Sequence, residues 1–334
     1  MSEITKNIND IYALLKSKGI DKSYIREVLL PKWWDEEILS SKAGFLQTAS
    51  IIAKNLGIKL SDLLAESDEL HLTQTIPINF KQNKSYNTLT TDFFPQTLSA
   101  KLFSLIKSSF KKDFTLSIDK PDELRKDFLS VYDEINLNNL LDYLWKKGIP
   151  VIYVSEYPKD VNKLDGMVFN FENRPVIIVS SKRKHDAWLI FILAHEVGHI
   201  AKKHLNNSEN VIFDSNFENA ENGEEKEAND FAIKFLIENE DNVPSSLNLG
   251  SSFKLVNQLR PIGNTLKLDP GVITLMYAFR SNNFMLGSQA LNVMDPEPDA
   301  SSKVKAKMKE FLDLNNLTEE ELEYFENLTG VSGG

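Results

Sequence analysis

An α+β fold is predicted for this chain on three observations. Strand-like apolar runs are confined to one stretch, Val151 to Val154, Gly166 to Phe171 and Pro175 to Val179. Helical periodicity occupies most of the sequence on either side of that stretch. A segment of residues 1 to about 66 carries helical stripes alone. The layout that follows is a helical domain over 1–66, a linker and helical connector over 67–122, a mixed domain over 123–290, and an acidic helical tail over 291–334.

The elements follow in order. Ile11, Leu14 and Leu15 give one apolar stripe; Ile51, Ile52 and Leu56, then Leu60, Leu63 and Leu64, give another, interrupted by Gly57. Between them, Leu30 to Asp35 reads as a helix start with aromatic packing from Trp33 and Trp34. The run Ile51 to Ile58 looks like the second half of a repressor-type helix-turn-helix. Residues 1–70 hold 9 Lys/Arg against 11 Asp/Glu, a poor surface for DNA. A small helical bundle that docks on protein is therefore the favoured reading of this segment, and DNA binding the lesser one.

Residues 70–100 are rich in Thr, Asn and Gln, with Pro77 and Pro95, and read as a linker or extended crossing segment. Leu98 to Phe110 suits an amphipathic helix. Leu124 to Trp145 reads as one helix or two, stopped at Lys146-Lys147-Gly148. Two of the strand runs are separated by Glu172-Asn173-Arg174, the spacing of an antiparallel hairpin. A long helix from about Asp186 to His204 comes next, then a polar loop over 206–223, expected to be mobile. A second helix runs from about Gly223 to Glu238, and short helices follow, including Val256 to Leu266 and Gly271 to Arg280. Thr318 and Glu321 form a capping box before Leu322 and Phe325. No internal repeat is visible.

Composition removes several function classes. Cysteine is absent from the 334 residues, so disulfides and thiolate ligands are excluded, and a transition-metal site must use His and carboxylates. The net charge of −10 disfavours bulk attraction to nucleic acid. The first ten residues are polar and mixed in charge, unlike a signal peptide. No run of about 18 apolar residues exists to span a membrane. A cytoplasmic setting is expected.

One constellation carries chemistry. His195-Glu196-Val197-Gly198-His199 puts two imidazoles one helical turn apart on one face, so both can bind one metal. Glu196, beside the first His, can serve as general base toward a water at that metal. The pattern predicts one Zn2+ per chain and requires a third protein ligand. The bland alternative is a buried helix with two satisfied His residues. Against it stands the apolar run Ile190 to Ala194, which would bury two His and a Glu together at a cost unless a metal or partner compensates. The third ligand should come from the acidic start of the second helix. The stripe Ala228, Phe231, Ala232, Phe235 and Leu236 leaves Glu227 at or beyond its edge; Glu224 and Glu225 both lie nearer the core face, and periodicity does not choose between them. Those acidic residues would also suit a solvated helix N-terminus.

The run Ala194-His195-Glu196-Val197-Gly198-His199, followed by Glu225-x-x-Ala228-Asn229-x-Phe231-Ala232, resembles the ImmA/IrrE metallopeptidases. So do Arg174 to Val179 and, more weakly, Leu266 to Ile273; the resemblance covers about residues 125–290. It implies a zincin-like domain with a small antiparallel sheet, and zinc held by His195, His199 and Glu225. It further implies Glu196 as catalytic base and Asn229 as the residue that orients a ligand His. The substrate would be a regulatory protein, repressor or antitoxin-like, cleaved in stress response, mobile-element control or phage defence, and paired along an edge strand at Pro175 to Val179. The rival reading is a DNA- or protein-binding regulator that keeps the metal site without proteolysis. Family members often carry another His four residues after the second ligand; Lys203 stands there, so His204, displaced by one, is expected at the surface. His185 precedes the helix and could assist near the site, although most lone His residues do not; His71 has no supporting context.

Overall fold

The computed structural model describes residues 6–73, 79–80, 93–159, 161, 165–205, 210–214, 223–247 and 250–333. The first region holds α1 (Ile8–Ser17), α2 (Lys22–Tyr24), which runs on as a π-helical turn to Leu29, α3 (Lys42–Leu56) and α4 (Leu60–Leu64). Pro31 to Trp34 forms a turn rather than a helix start; Asp35 then caps a 3-10 helix, Glu36–Ser40. Beyond lie β1 (Asn79–Phe80), α5 (Phe93–Ser109), α6 (Pro121–Val131) and α7 (Leu137–Lys146). Next come β2 (Val151–Tyr153), β3 (Gly166–Phe171), β4 (Arg174–Val179), α8 (Asp186–Ala201), β5 (Asn210–Asp214) and α9 (Glu224–Ile237). The chain ends with α10 (Ser252–Thr265), α11 (Pro270–Ser281), α12 (Phe284–Met294), α13 (Ala300–Phe311) and α14 (Glu319–Thr329).

The architecture is α+β. Among the described residues, five strands form one sheet in the order β1-β5-β3-β4-β2. Its centre is the expected antiparallel hairpin, with Phe171 opposite Arg174 and Gly166 opposite Val179. Glu172 and Asn173 at its tip both have positive φ, 46° and 64°, the backbone of a tight turn that matches strand twist. The flanks are more varied than a small antiparallel sheet. β2 joins β4 in parallel, and β1 joins β5 in parallel. β4 is therefore an interior strand, and the expected substrate edge at Pro175 to Val179 is corrected. Its unbroken buried run, Val176 to Val179, is what a strand paired on both sides looks like.

The loop expected over 206–223 contains β5; its flanks, 206–209 and 215–222, lie outside the described residues, as do 74–78 and 81–92 of the Thr/Asn-rich linker. No helix among the described residues is long and apolar enough to cross a membrane. The apolar core is continuous from Ile11 to Val331. α13 lies on β2 and α7, and α14 lies on the π-turn after α2, so the last two helices join the sheet to the N-terminal helices. The Thr318–Glu321 capping box is formed.

Candidate metal centre

The site rests on the packing of α8 against α9. α8 has almost no polar face: Ala187, Leu189 to Ala194 and Val197 are buried, and so are His195, Glu196 and His199, each 0% exposed. A helix buried all round must place its polar groups against specific partners. Those partners come from α9, and the closeness of the two axes is set by small residues. A Cβ on Gly198 would sit 2.8 Å from the Ala228 carbonyl oxygen and 3.0 Å from its Cα. The backbones thus touch at Gly198 and Ala228. Glu225 lies one turn before Ala228, and Asn229 follows it directly, so both project toward the imidazoles of α8.

The three donor atoms converge. His195 Nε2 and His199 Nε2 are 2.9 Å apart. Glu225 Oε2 lies 3.4 Å from the first and 3.6 Å from the second. Ligands about 2.0–2.2 Å from a tetrahedral ion stand roughly 3.3 Å from one another. The spacing therefore suits a shared cation. Among the described residues only the two imidazole nitrogens approach Glu225 Oε2, without meeting hydrogen-bond geometry, and a cation between the three groups would satisfy it. The three residues form a group that could hold a metal, and the donor set, two imidazoles and a carboxylate, is that of open catalytic zinc sites.

Protonation suits the same purpose. Burial pushes the His199 imidazole down to about 4, against the opposing pull of Glu225. Glu225 is held at about 2: burial opposes its charge, and the two imidazoles that face it outweigh burial. At neutral pH the site thus offers a neutral imidazole at His199 and an ionised carboxylate, the forms that ligate metal.

Each imidazole is steadied from behind. His195 Nδ1 lies 2.7 Å from Asn229 Oδ1 and donates to it. His199 Nδ1 lies 2.9 Å from His204 Nδ1. His204 is buried, so its expected surface position is corrected. The cause is local: α8 ends at Ala201 with Lys202 as its C-cap, Lys203 takes φ +59°, and the His204 amide bonds back to the His199 carbonyl at 3.1 Å. Helical periodicity gives no sign of this, because residues five apart do not share a face.

Glu196 points at the start of β3. A Cβ on Gly166 would lie 2.5 Å from Glu196 Oε1 and 2.7 Å from Ile192 Cγ2, so only glycine leaves room for the carboxylate. Sequence reasoning did not single out Gly166, placed His204 at the surface, and left Glu227 at or beyond the edge of the apolar stripe. The remaining histidines lie elsewhere. His185 pairs with Asn292 at 2.9 Å, ten residues before His195 on the helix, and His71 pairs with Asp62. Glu224 is not among the convergent groups.

Residues 148–250 match the Peptidase_M78 family, described as an IrrE N-terminal-like domain. That span begins just before β2 and ends after α9, so it contains the sheet hairpin, both site helices and every convergent donor. Neither the curated proteins nor the solved structures gave a match to the chain.

Proposed function

We propose that this chain, whose residues 148–250 match the Peptidase_M78 (IrrE N-terminal-like) family, is a zinc-dependent endopeptidase acting on a specific protein partner. The observation that carries the reading is the buried convergence of His195, His199 and Glu225 on one point. In this reading those three residues hold the ion, and Asn229 fixes His195 so that its Nε2 faces inward. Zinc bound there would supply Lewis acidity, making a water nucleophilic near neutral pH and polarising the scissile carbonyl. Glu196 takes the proton of the attacking water and passes it to the departing amine nitrogen. Gly166 keeps the carboxylate in place for both transfers.

Substrate backbone would pair with the sheet on the side of β5 rather than β4. β5 lies beside β3, with Asp214 opposite Gly166, hence next to Glu196. β1 covers only Asn210 and Val211 of its other side. The burial of the two imidazoles and Glu196 favours a selected chain over bulk protein. A regulatory protein of repressor or antitoxin type, in stress response, mobile-element control or phage defence, is the substrate class proposed; residues 1–66 would serve its recognition or gate access. Their charge balance supports a protein partner over DNA.

The test has two parts. Metal analysis of protein purified without chelator should give about one zinc per chain, lost in His195→Ala. Cells expressing the chain should lose a discrete protein that persists when Glu196→Gln is expressed instead. Identical proteomes, with zinc still bound in both, would make the chain a metal-holding binding protein and overturn the peptidase reading.

A further inference from the structure

We propose that His204 and Glu227 form a positioning relay that fixes the tautomer of His199 and so holds its Nε2 lone pair toward the metal. The inference rests on the reading of His199 as a ligand. Its geometry is a chain of contacts directed away from the site. His199 Nδ1 meets His204 Nδ1 at 2.9 Å, and His204 Nε2 meets Glu227 Oε2 at 3.1 Å. The His204 side chain is 5% exposed and that of Glu227 is 63% exposed, so the chain runs from core to solvent.

The direction of the outer hydrogen bond follows from the acceptor at its end. An ionised carboxylate only accepts, so His204 Nε2 must be the donor to Glu227. In the ligand reading His199 Nε2 carries no proton, so His204 Nδ1 is the acceptor of the Nδ1–Nδ1 hydrogen bond. His199 Nδ1 must therefore carry the hydrogen it donates, leaving Nε2 as a free electron pair facing His195 and Glu225. Reversing the chain would place a proton on His199 Nε2, between the ligands, where no cation could bind.

The two ligand imidazoles thus reach the same state by different means. His195 needs one direct acceptor, Asn229 Oδ1 at 2.7 Å, and Asn229 lies on α9. His199 reaches α9 only through a second imidazole. Glu225 and Glu227 belong to the same helical turn, one facing His199 from the site and the other supporting it from behind. The backbone spends conformational strain on this arrangement. Lys203 occupies the left-handed region at φ +59°, uncommon for a residue with a Cβ, and that turn brings His204 under His199.

The test uses the full chain and four variants. His204→Phe fills the space without an acceptor; His204→Gln restores one through its amide oxygen; Glu227→Ala removes the outer carboxylate; His199→Ala removes the ligand. Zinc affinity is read by competition with a chromophoric chelator, and the site of the His199 proton by long-range 1H–15N NMR of the imidazole in metal-free and zinc-loaded protein. His204→Phe should weaken zinc binding about 10- to 100-fold, with His204→Gln recovering most of it. Glu227→Ala should weaken binding by a smaller factor, and the wild-type His199 proton should sit on Nδ1. Unchanged affinity in His204→Phe, or a wild-type proton on Nε2 in the zinc-free state, overturns the relay. Should His204→Phe not fold, unchanged zinc dissociation in Glu227→Ala overturns it equally. If His199→Ala keeps full zinc affinity, the ligand reading itself fails; if His199→Ala loses zinc and His204→Phe does not, only the relay fails.

Discussion

The pair α3–α4 and the pair α8–α9 obey opposite rules. α3 begins on a Ser41 hydroxyl that accepts the Gly44 amide, and ends at Gly57 with φ +67°. Its buried polar groups are spent on structure: Thr48 bonds the Gly44 carbonyl and receives the Trp34 indole, and Asn55 bonds the Leu29 carbonyl. α8 begins on His185 with no side-chain cap, carries Gly198 in its last turn, and turns off at a lysine where glycine would be easier. Its buried His195 and His199 converge with Glu225 on one point. α3 is capped at both ends and uses its buried polar groups locally, while α8 accepts local cost so that donor atoms meet. These departures in α8 and the turn after it lie within residues 148–250, the span of the family match.

The largest way to break this contrast is to remove a convergent donor. Glu225→Ala should reduce zinc affinity by more than about 100-fold and abolish peptide cleavage, since losing a ligand exceeds the usual effect of losing its support. Asp62→Ala, an equal change on α4, should leave both untouched. Metal titration of the two variants checks this, and full occupancy in Glu225→Ala would remove α9 from the site.

Gly166→Ala comes next. The new methyl would meet the Glu196 carboxylate and Ile192 and displace the carboxylate by about an ångström. Cleavage should fall about 100-fold while metal content stays at the wild-type level. Parallel loss of metal would mean that Gly166 serves the packing of α8 rather than Glu196.

A smaller effect compares the two helix stops. The Cβ of Gly57→Ala would have open space, its nearest neighbour being Ala100 Cβ at 3.9 Å, so its cost of about 1–2 kcal/mol is backbone strain alone. Lys203→Gly should do the reverse and stabilise the protein by up to about 1 kcal/mol. Urea denaturation midpoints of the two variants should move in opposite directions. Equal shifts of one sign would show that the αL turn after α8 is not strained.

The smallest effect concerns acid. α7 packs against α8, and its Asp142 bonds Lys146 at 2.6 Å, the Tyr132 hydroxyl at 2.6 Å and Lys307 of α13 at 3.1 Å. Burial opposes its charge, but these three donors hold the carboxyl at about 2. Its unfolded value is about 3.9. A lowered folded value means stability that is present above pH 4 and drains away as pH falls toward 2. Asp142→Asn should flatten that part of the stability curve in metal-free protein, measured by urea unfolding at stepped pH. An unchanged slope would assign the acid limb to other carboxylates.

Much of the fold was legible because its signals are local. The hairpin followed from two apolar runs and a short polar gap, and the α7 stop from two lysines before Gly148. The spacing of His195 and His199 on one helix fixed two of the three convergent groups, since residues four apart share a face whatever surrounds them. Periodicity left Glu224 and Glu225 open, and tertiary packing brought Glu225 to the imidazoles: the backbone contact of Gly198 with Ala228 sets the height of α9 against α8. Strand neighbours were equally beyond reach. β4 proved interior because β2, which precedes the hairpin in the chain, pairs with its far side. The sequence places His204 at the surface because it stands one residue past the position at which the resembled family often carries a His. Its burial depends on one left-handed residue and on Glu227 arriving from another helix. Sequence by itself determined which groups share a turn or a strand, because those distances are set by covalent geometry. Only the tertiary structure decided which turns face each other, because that depends on the packing of small residues far apart in the chain.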